Sequence, residues 1–597
     1  MAAGPVNPRL VVGDYGDSAV LARVVADDYE SRWRTTQTMA ATARGSLPGW
    51  VVDLVATYDH LFLAFDPLVA SHDEATAFLE ELHGRVAGPV VAGAPEGVTG
   101  GRVLRVPVLF GGEAGPDLDD VARELGLDAA DLVERLTAAP WRVRFVAGPV
   151  GTPFTDRDDW QAAVPRMRTP RVGVPPGSVG LSGSQSIIYP VPSPGGWRLV
   201  GRTPLRLLAA DLDSGDLVPY GPGDLLQYVA ITPDAYEAAL ASGPSAGSQG
   251  QSGVGGAGSG VTDRISRGTI VVEGAGLAMV QDLGRPGHGH QGISANGASD
   301  RWSARLANTL VGNRPGAPLV EVVGSTLALR VDVDVLVCVT GADTVPTVDG
   351  AVCPAYDPFV VRAGARLVVP SPTRGLRSYV AVGGGLEAPT VLGSVATDRM
   401  LGVEGHLATG DRLAVADALR DWRHPHFAPA LFRLGAPRPT WSAPTVVDVT
   451  AGPELGEYDP VALLGPWAVW AQSDTVGLRT GGSTPTRSGD TEILSRGVPV
   501  GAVEVPPGGG LLLLLHGRLI TAGYPVPYVA TAAGIDRLGQ ARPGDDLLLR
   551  EIAHSDAVAQ LRVRQQTLLT LARRTATALT ASGLGHLVHP AHLSRGG

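Results

Sequence analysis

Between Gln281 and Glu321 the sequence gathers acidic, basic and amide side chains in a setting of glycines and small residues. The run Gln281-Asp282-Leu283-Gly284-Arg285 is followed by Asp300, Asn308 and Glu321. Arginine matches a carboxylate or phosphate with two parallel hydrogen bonds, so Arg285 beside Asp282 suits an anion-gripping role. The competing reading is an Asp–Arg pair that braces a loop. Asp300 opens a helical pattern. It is either a general base or the acid that a helix dipole favours in its first turn. Asn308 within that helix and Glu321 in an apolar segment are poor choices on propensity alone. They either line a pocket or satisfy buried backbone. Gln281, Asp282, Arg285, Asn308 and Glu321 are candidate substrate-binding residues, and Asp300 is a candidate catalytic residue.

A second polar set lies late in the chain. Asp474 and Glu504 are candidate acids or bases, with Arg479 and Tyr524 as candidate substrate contacts. His288-Gly289-His290 and His424-Pro425-His426 have no nearby Cys and no third ligand at plausible spacing, so no metal is expected. Ser178 follows Pro-Pro-Gly and lacks the Gly-x-Ser-x-Gly elbow of a nucleophile.

The elements that position these residues are read from composition and period. At 597 residues the chain is long enough for about four domains. With 79 glycines and 48 prolines, turns are frequent and a mainly β architecture is expected. The net charge of −11 and the absence of a basic block disfavour nucleic acid. No basic and apolar leader and no apolar run of about 18 residues is seen, so neither export nor a membrane span is expected. Two cysteines are too few for a disulfide framework and fit a cytoplasmic setting. All 48 basic residues are arginine. The missing lysine excludes a Gly-Lys-Ser/Thr phosphate loop, a lysine Schiff base and lysine-tethered biotin on this chain.

Periodicity places a small α/β unit at 1–95, with a helix from Ser71 to Val86, and a strand-and-turn unit at 96–241, which the resemblance given below implies is a β-barrel. The Gly/Ser-rich tract 242–266 reads as a flexible linker reaching on the order of 25–30 Å. A β-rich domain is expected at 267–430, a β-barrel at 431–552, and a packing helix with tail at 553–597. An internal repeat pairs Val174–Gly177, Gly195–Trp197 and Gly221–Leu226 with Val505–Gly508, Ala522–Pro525 and Arg542–Leu548. It suggests one barrel unit used more than once.

These blocks resemble the two allophanate hydrolase subunits numbered 1 and 2, better described as the B and C subunits of 5-oxoprolinase, fused in one chain. The first half matches at Gly13-Asp14, Phe110-Gly111-Gly112-Glu113, Pro170–Gly180 and Ser193–Thr203. The second matches at Val280–Arg285, Gly297-Ala298, Ala307-Asn308, Gly383–Gly385, Ser473-Asp474 and Gly523-Tyr524-Pro525. The resemblance implies a small α/β domain followed by cyclophilin-like barrels. It also implies a separate 5-oxoprolinase A component and ATP-dependent opening of 5-oxoproline, with ATP used through the complex and no covalent cofactor. Homo-oligomerisation is left open. The chain departs from the family at Arg135, in the loop Gly148–Phe154, at Asp474-Thr475-Val476-Gly477, and at Glu504, where glutamine is expected. Those departures keep two alternatives in view. One is a stand-alone enzyme whose repurposed cleft catalyses cyclisation, rearrangement or lyase chemistry. The other is a non-catalytic binder like the family's histidine-kinase inhibitors.

Overall fold

The computed structural model describes residues 8–86, 101–167, 171–215, 217–242, 268–419, 422–423, 432–489 and 493–592. The expected linker lies outside the described residues except for Ser242, which ends the helix Pro233–Ser242. His424-Pro425-His426 lies outside them too.

The N-terminal unit is an antiparallel sheet of Arg9–Asp14, Ala19–Val25, Val51–Ala56 and His60–Phe65, with the last two strands exchanged in order. Successive side chains of a strand point to opposite faces, and here both faces are apolar. Val20, Ala22, Val24, Leu61 and Leu63 pack on Met39, Ala40, Leu79 and Leu82 of the helices Tyr29–Arg44 and His72–Val86. Tyr15, Ala19, Leu21, Val55 and Phe62 form the other face, covered by the chain's second barrel. The helix Tyr29–Arg44 has no counterpart among the expected elements. Its buried set of Trp33, Thr36, Gln37, Met39, Ala40 and Ala43 mixes polar and small residues, so its apolar stripe is faint in sequence.

Two closed barrels follow, each of seven strands. The first contains Val103–Phe110, Trp141–Ala147, Thr152–Asp156, Ser178–Ser182, Gln185–Ile188, Arg198–Arg202 and Leu225–Ala230. The second contains Thr445–Ala451, Trp467–Val469, Gly477–Gly481, Ala502–Glu504, Leu512–Leu514, Tyr528–Ala530 and Asp546–Glu551. Numbered within each barrel, the strands run 1-6-4-5-3-2-7 around both. In both, the closing pair of strands 1 and 7 is parallel. The repeat expected from sequence is therefore a repeat of topology.

The register corrects one of its three blocks. Thr203 N–H donates to Gly177 O, and Ala530 N–H donates to Gly501 O, so Gly177 matches Gly501. Both glycines have positive φ, 82° and 87°, just before strand 4. The partner of Val174–Gly177 is thus Val498–Gly501, and Val505–Gly508 lies in the turn after strand 4. Sequence similarity favoured the later Pro-Pro-Gly because the earlier copy reads Val-Pro-Val-Gly. The other two blocks keep their alignment.

Between the barrels in sequence, a seven-stranded and a five-stranded sheet share a core that includes Ile270, Val320, Leu329, Val337 and Val380. The back of the five-stranded sheet carries the helix Arg301–Leu310, and the terminal helix His554–Ala581 packs there through Leu568, Leu571 and Leu579. The two cysteines are buried free thiols.

The contact between the N-terminal sheet and the second barrel sets one prediction. Phe62 is 1% exposed in that contact, whereas Val69 is 65% exposed. Phe62→Ala is expected to lower unfolding free energy by about 3–5 kcal/mol. Val69→Ala is expected to stay within roughly 0.5 kcal/mol. Equilibrium urea unfolding followed by fluorescence measures both.

Candidate active site

Strand 4 of the second barrel alternates across its wall. Val503 and Val505 point into the barrel core, while Ala502 belongs to the face under the N-terminal sheet. Glu504 shares the parity of Ala502 and is 2% exposed. Its Oε1 has no hydrogen-bond partner among the described residues. Burial raises its pKa from the ordinary 4.5 to about 8, against the opposing pull of Arg496. Burial therefore favours the neutral carboxylic acid over the carboxylate.

Around it lies a second buried polar group. Arg496 Nη2 donates to Glu454 Oε2 at 2.5 Å, and Val526 N–H donates to the same oxygen at 2.9 Å. The Arg496 guanidinium stands 5.6 Å from the centre of the Tyr15 ring, which the N-terminal domain supplies. Burial, more than any neighbour, raises the pKa of the Tyr15 hydroxyl, which also feels Arg496, Glu454 and Glu504.

The same clasp occurs in the first barrel. Arg171 Nη2 donates to Asp117 Oδ1 at 2.7 Å, and Leu199 N–H donates to Asp117 Oδ2 at 2.7 Å. Leu199 precedes Thr203 by the spacing that separates Val526 from Ala530, so the two clasps are equivalent. By that register Glu504 matches Gly180, and Tyr524 matches Trp197. A Cβ on Gly180 would lie 3.0 Å from the Trp197 side chain, with Ile187 and Tyr189 close behind. The first barrel fills this place with aromatic packing; the second places an acid there.

The polar seam continues to where all units meet. Asp53 of the N-terminal sheet accepts from Gly289 N–H and Leu54 N–H. Burial raises its pKa to about 6, opposed chiefly by Arg518. Burial lowers the pKa of Arg518 to about 10. Ser294 Oγ donates to Arg518 O, and Asn296 N–H donates to His516 O. Both ring nitrogens of His516 are buried without a partner among the described residues. Burial, then Arg301, keeps this imidazole neutral well below its usual range. A Cβ on Gly292 would lie 2.1 Å from Ala147 O, so only glycine lets this loop meet the first barrel. The departing loop Gly148–Phe154 is itself buried, with Val150 packed on Ile293 and Leu401. Strongly perturbed titratable groups gathered at one junction mark a functional-site candidate.

The candidates from the first polar stretch lie beside this seam. Asp282 accepts from Gly284 N–H, Ser394 Oγ and Val395 N–H. Arg285 donates to Val391 O and Ala396 O and faces Asp398 at 3.4 Å. Both hold the 391–398 segment. Asn308 donates to Ala317 O and accepts from Asn313 Nδ2. Glu321 accepts from Ser299 N–H, and its Oε1 stands 3.6 Å from Arg377 Nε. Gln281 is buried at the end of its strand.

Asp300 caps the helix Arg301–Leu310 by accepting from Ser303 N–H; Ser303 Oγ and Gln540 Nε2 donate to its other oxygen. It opens on a cleft of about 860 Å³ shared with Trp302, Trp441, Asp536, Arg542 and Arg564. Burial, then Asp536, raises its pKa to about 6. Asp474 is exposed and accepts from Val476 and Gly477 N–H in a turn. Arg479 is exposed beside Trp470 and Gln472. Tyr524 is half-buried. Of the three acids that sequence offered for catalysis, Glu504 is the one with an oxygen that is both buried and unpartnered among the described residues. Tyr15, Asp53, Glu454 and Arg496 were not singled out from sequence, whereas His516 and Arg518 fall in a block, His516–Tyr524, that departs from the family pattern. The repeated Arg before strand 4 was the available signal for Arg496.

The sign of Glu504 linkage follows from its raised pKa. The folded state binds the proton more tightly than the unfolded chain, so this stabilisation is complete below pH 4.5 and is lost as pH rises through about 8. Between those values Glu504→Gln is expected to flatten the decline of stability with pH. Urea midpoints of both proteins from pH 5 to 9 check it.

Comparison with known proteins agrees with this architecture. Residues 10–217 match the model of the carboxyltransferase domain, subdomain C and D, and residues 291–551 match that of the carboxyltransferase domain, subdomain A and B. The 5-oxoprolinase C subunit of Escherichia coli K12 is 30% identical over 312 residues, covering 51% of this chain and 97% of that protein. The 5-oxoprolinase B subunit of Bacillus subtilis is 36% identical over 137 residues, covering 23% of this chain and 56% of that protein. The crystal structure of TTHA0988 superposes with a TM-score of 0.73 at 29% identity, over 89% of this chain and 99% of that one. A barrel-bearing first half and a two-sheet-plus-barrel second half, each with its own family match, identify the chain as a member of the carboxyltransferase-domain family in which a half like the 5-oxoprolinase B component is fused to a half like the C component.

Proposed function

We propose that the chain is the B/C component of an ATP-dependent amidohydrolase of the 5-oxoprolinase type, acting with a separate A component on a small cyclic amide that carries a carboxylate. Glu504 carries the reading. Opening a cyclic amide breaks a C–N bond, adds water oxygen to the carbonyl carbon and delivers a proton to the leaving nitrogen. A carboxyl group kept protonated near neutral pH by a dry environment is suited to that delivery. Arg518 supplies positive charge in the same seam for the substrate carboxylate. Tyr524, at the place of the first barrel's Trp197, is the aromatic neighbour assigned to substrate contact. The chain has no lysine and hence no Lys-bearing phosphate loop, so the reading assigns the nucleotide to the A component.

The test mixes the purified chain with a competent 5-oxoprolinase A component, ATP and 5-oxoproline, and follows glutamate and ADP. Glutamate formation coupled to ADP is expected, and Glu504→Gln should lower it by about 10²-fold or more. No turnover with a competent A component contradicts the reading. Turnover of a substrate by the chain alone, without ATP, would support the stand-alone lyase or isomerase instead.

A further inference from the structure

The two ends of the chain meet at a cluster of metal-ligating groups outside the seam. Asp14 ends the first strand, His72 begins the second helix of the N-terminal unit, and His554 begins the terminal helix. Each offers one ligand atom, and the three atoms lie within 4.8 Å of one another. His554 Nδ1 stands 3.3 Å from Asp14 Oδ2. The His554 ring stacks on that of His72 with centroids 4.8 Å apart and 23° between planes.

The hydrogen-bond pattern leaves ring nitrogens for a ligand role. His72 Nε2 lies 2.8 Å from Gly16 O, a carbonyl that can only accept, so His72 donates there. That contact makes Nε2 the donor and leaves Nδ1 as the nitrogen suited to a ligand role. His554 Nε2 is buried without a hydrogen-bond partner among the described residues. Behind the two rings Asp17 is buried, held by Ala532 N–H at 2.9 Å and Ser18 Oγ at 3.0 Å. The cluster is thus two imidazoles and one carboxyl group, with the buried Asp17 behind them.

We propose that Asp14, His72 and His554 bind one divalent first-row transition ion of the zinc class, and that this ion clasps the N-terminal domain to the terminal helix. Two nitrogens and one carboxylate oxygen suit zinc, with a fourth place left for water. Bonds of about 2.0–2.2 Å bring tetrahedral ligand atoms to roughly 3.4 Å apart. Asp14, whose side chain is 48% exposed, can rotate to close that difference. The clasp joins residues from the two ends of the chain, so an ion there would hold the seam shut independently of any linker.

Titration calorimetry of the chelator-treated full chain with zinc chloride tests the assignment. One ion per chain is expected, together with a zinc-dependent rise in melting temperature. His72→Ala and His554→Ala should each weaken binding by more than about 10-fold and remove that rise. Asp14→Asn changes a half-exposed side chain, so it serves as the variant that keeps its fold, and it too should weaken binding. No zinc binding by the wild-type chain, or binding unchanged in Asp14→Asn, overturns the proposal.

Discussion

The N-terminal sheet has two apolar faces, and its own helices cover only one. Everything else in the arrangement depends on covering the other. Tyr15, Ala19, Leu21, Val55 and Phe62 are buried only because the second barrel lies on them. That contact removes water from strand 4 of the barrel, and burial of apolar area drives it. The cost falls on the polar groups trapped in the same seam. A carboxylate left there without a counter-ion is unfavourable, so Glu504 keeps its proton. Glu454 stays paired because Arg496 and the Val526 amide satisfy it.

The duplicated barrel shows what was retained and what was changed. Each copy keeps an arginine before strand 4, an acid after strand 1 and an amide four residues before the residue that bonds the turn glycine, all in one hydrogen-bonded clasp. The clasp fixes the approach to strand 4, so the residue three positions beyond the turn glycine always faces the N-terminal domain. In the first barrel that residue is Gly180, under Trp197 and Tyr189. In the second it is Glu504. One scaffold thus holds a packed aromatic contact on one side of the N-terminal domain and a buried acid on the other. On the first side, Trp33 Nε1 donates to Arg144 O, and Tyr29 and Tyr58 join the aromatic cluster.

Much of this was legible in sequence. Turn chemistry and short apolar runs indicated barrels, and the recurring Gly-Asp turn before a closing strand indicated that the unit repeats. The repeat's exact register was not legible, because proline-bearing turns occur both before and after strand 4. Glu504 stood out as an acid within Val503-Glu504-Val505, yet its chemistry depends on a sheet formed some 450 residues earlier in the chain, as numbered in the sequence. The seam members Asp53 and Tyr15 have no local signal at all, since their meaning arises from contact between halves. The same holds for Asp14, His72 and His554. Ligand spacing along the chain reveals a metal site only when the ligands are close in sequence, and these three are not. The polar stretch Gln281–Glu321 marked the family because its side chains hold loops in place, as the bonds of Asp282, Arg285 and Asn308 show.

The central claim is that burial beneath the N-terminal sheet keeps Glu504 protonated. Infrared difference spectroscopy of the carboxyl stretch, wild type against Glu504→Gln across pH, reads this directly. The account predicts a protonated-carboxyl band at neutral pH that is absent in the variant and disappears with a midpoint near 8. A band that titrates near the ordinary 4.5, leaving a carboxylate at neutral pH, would contradict it.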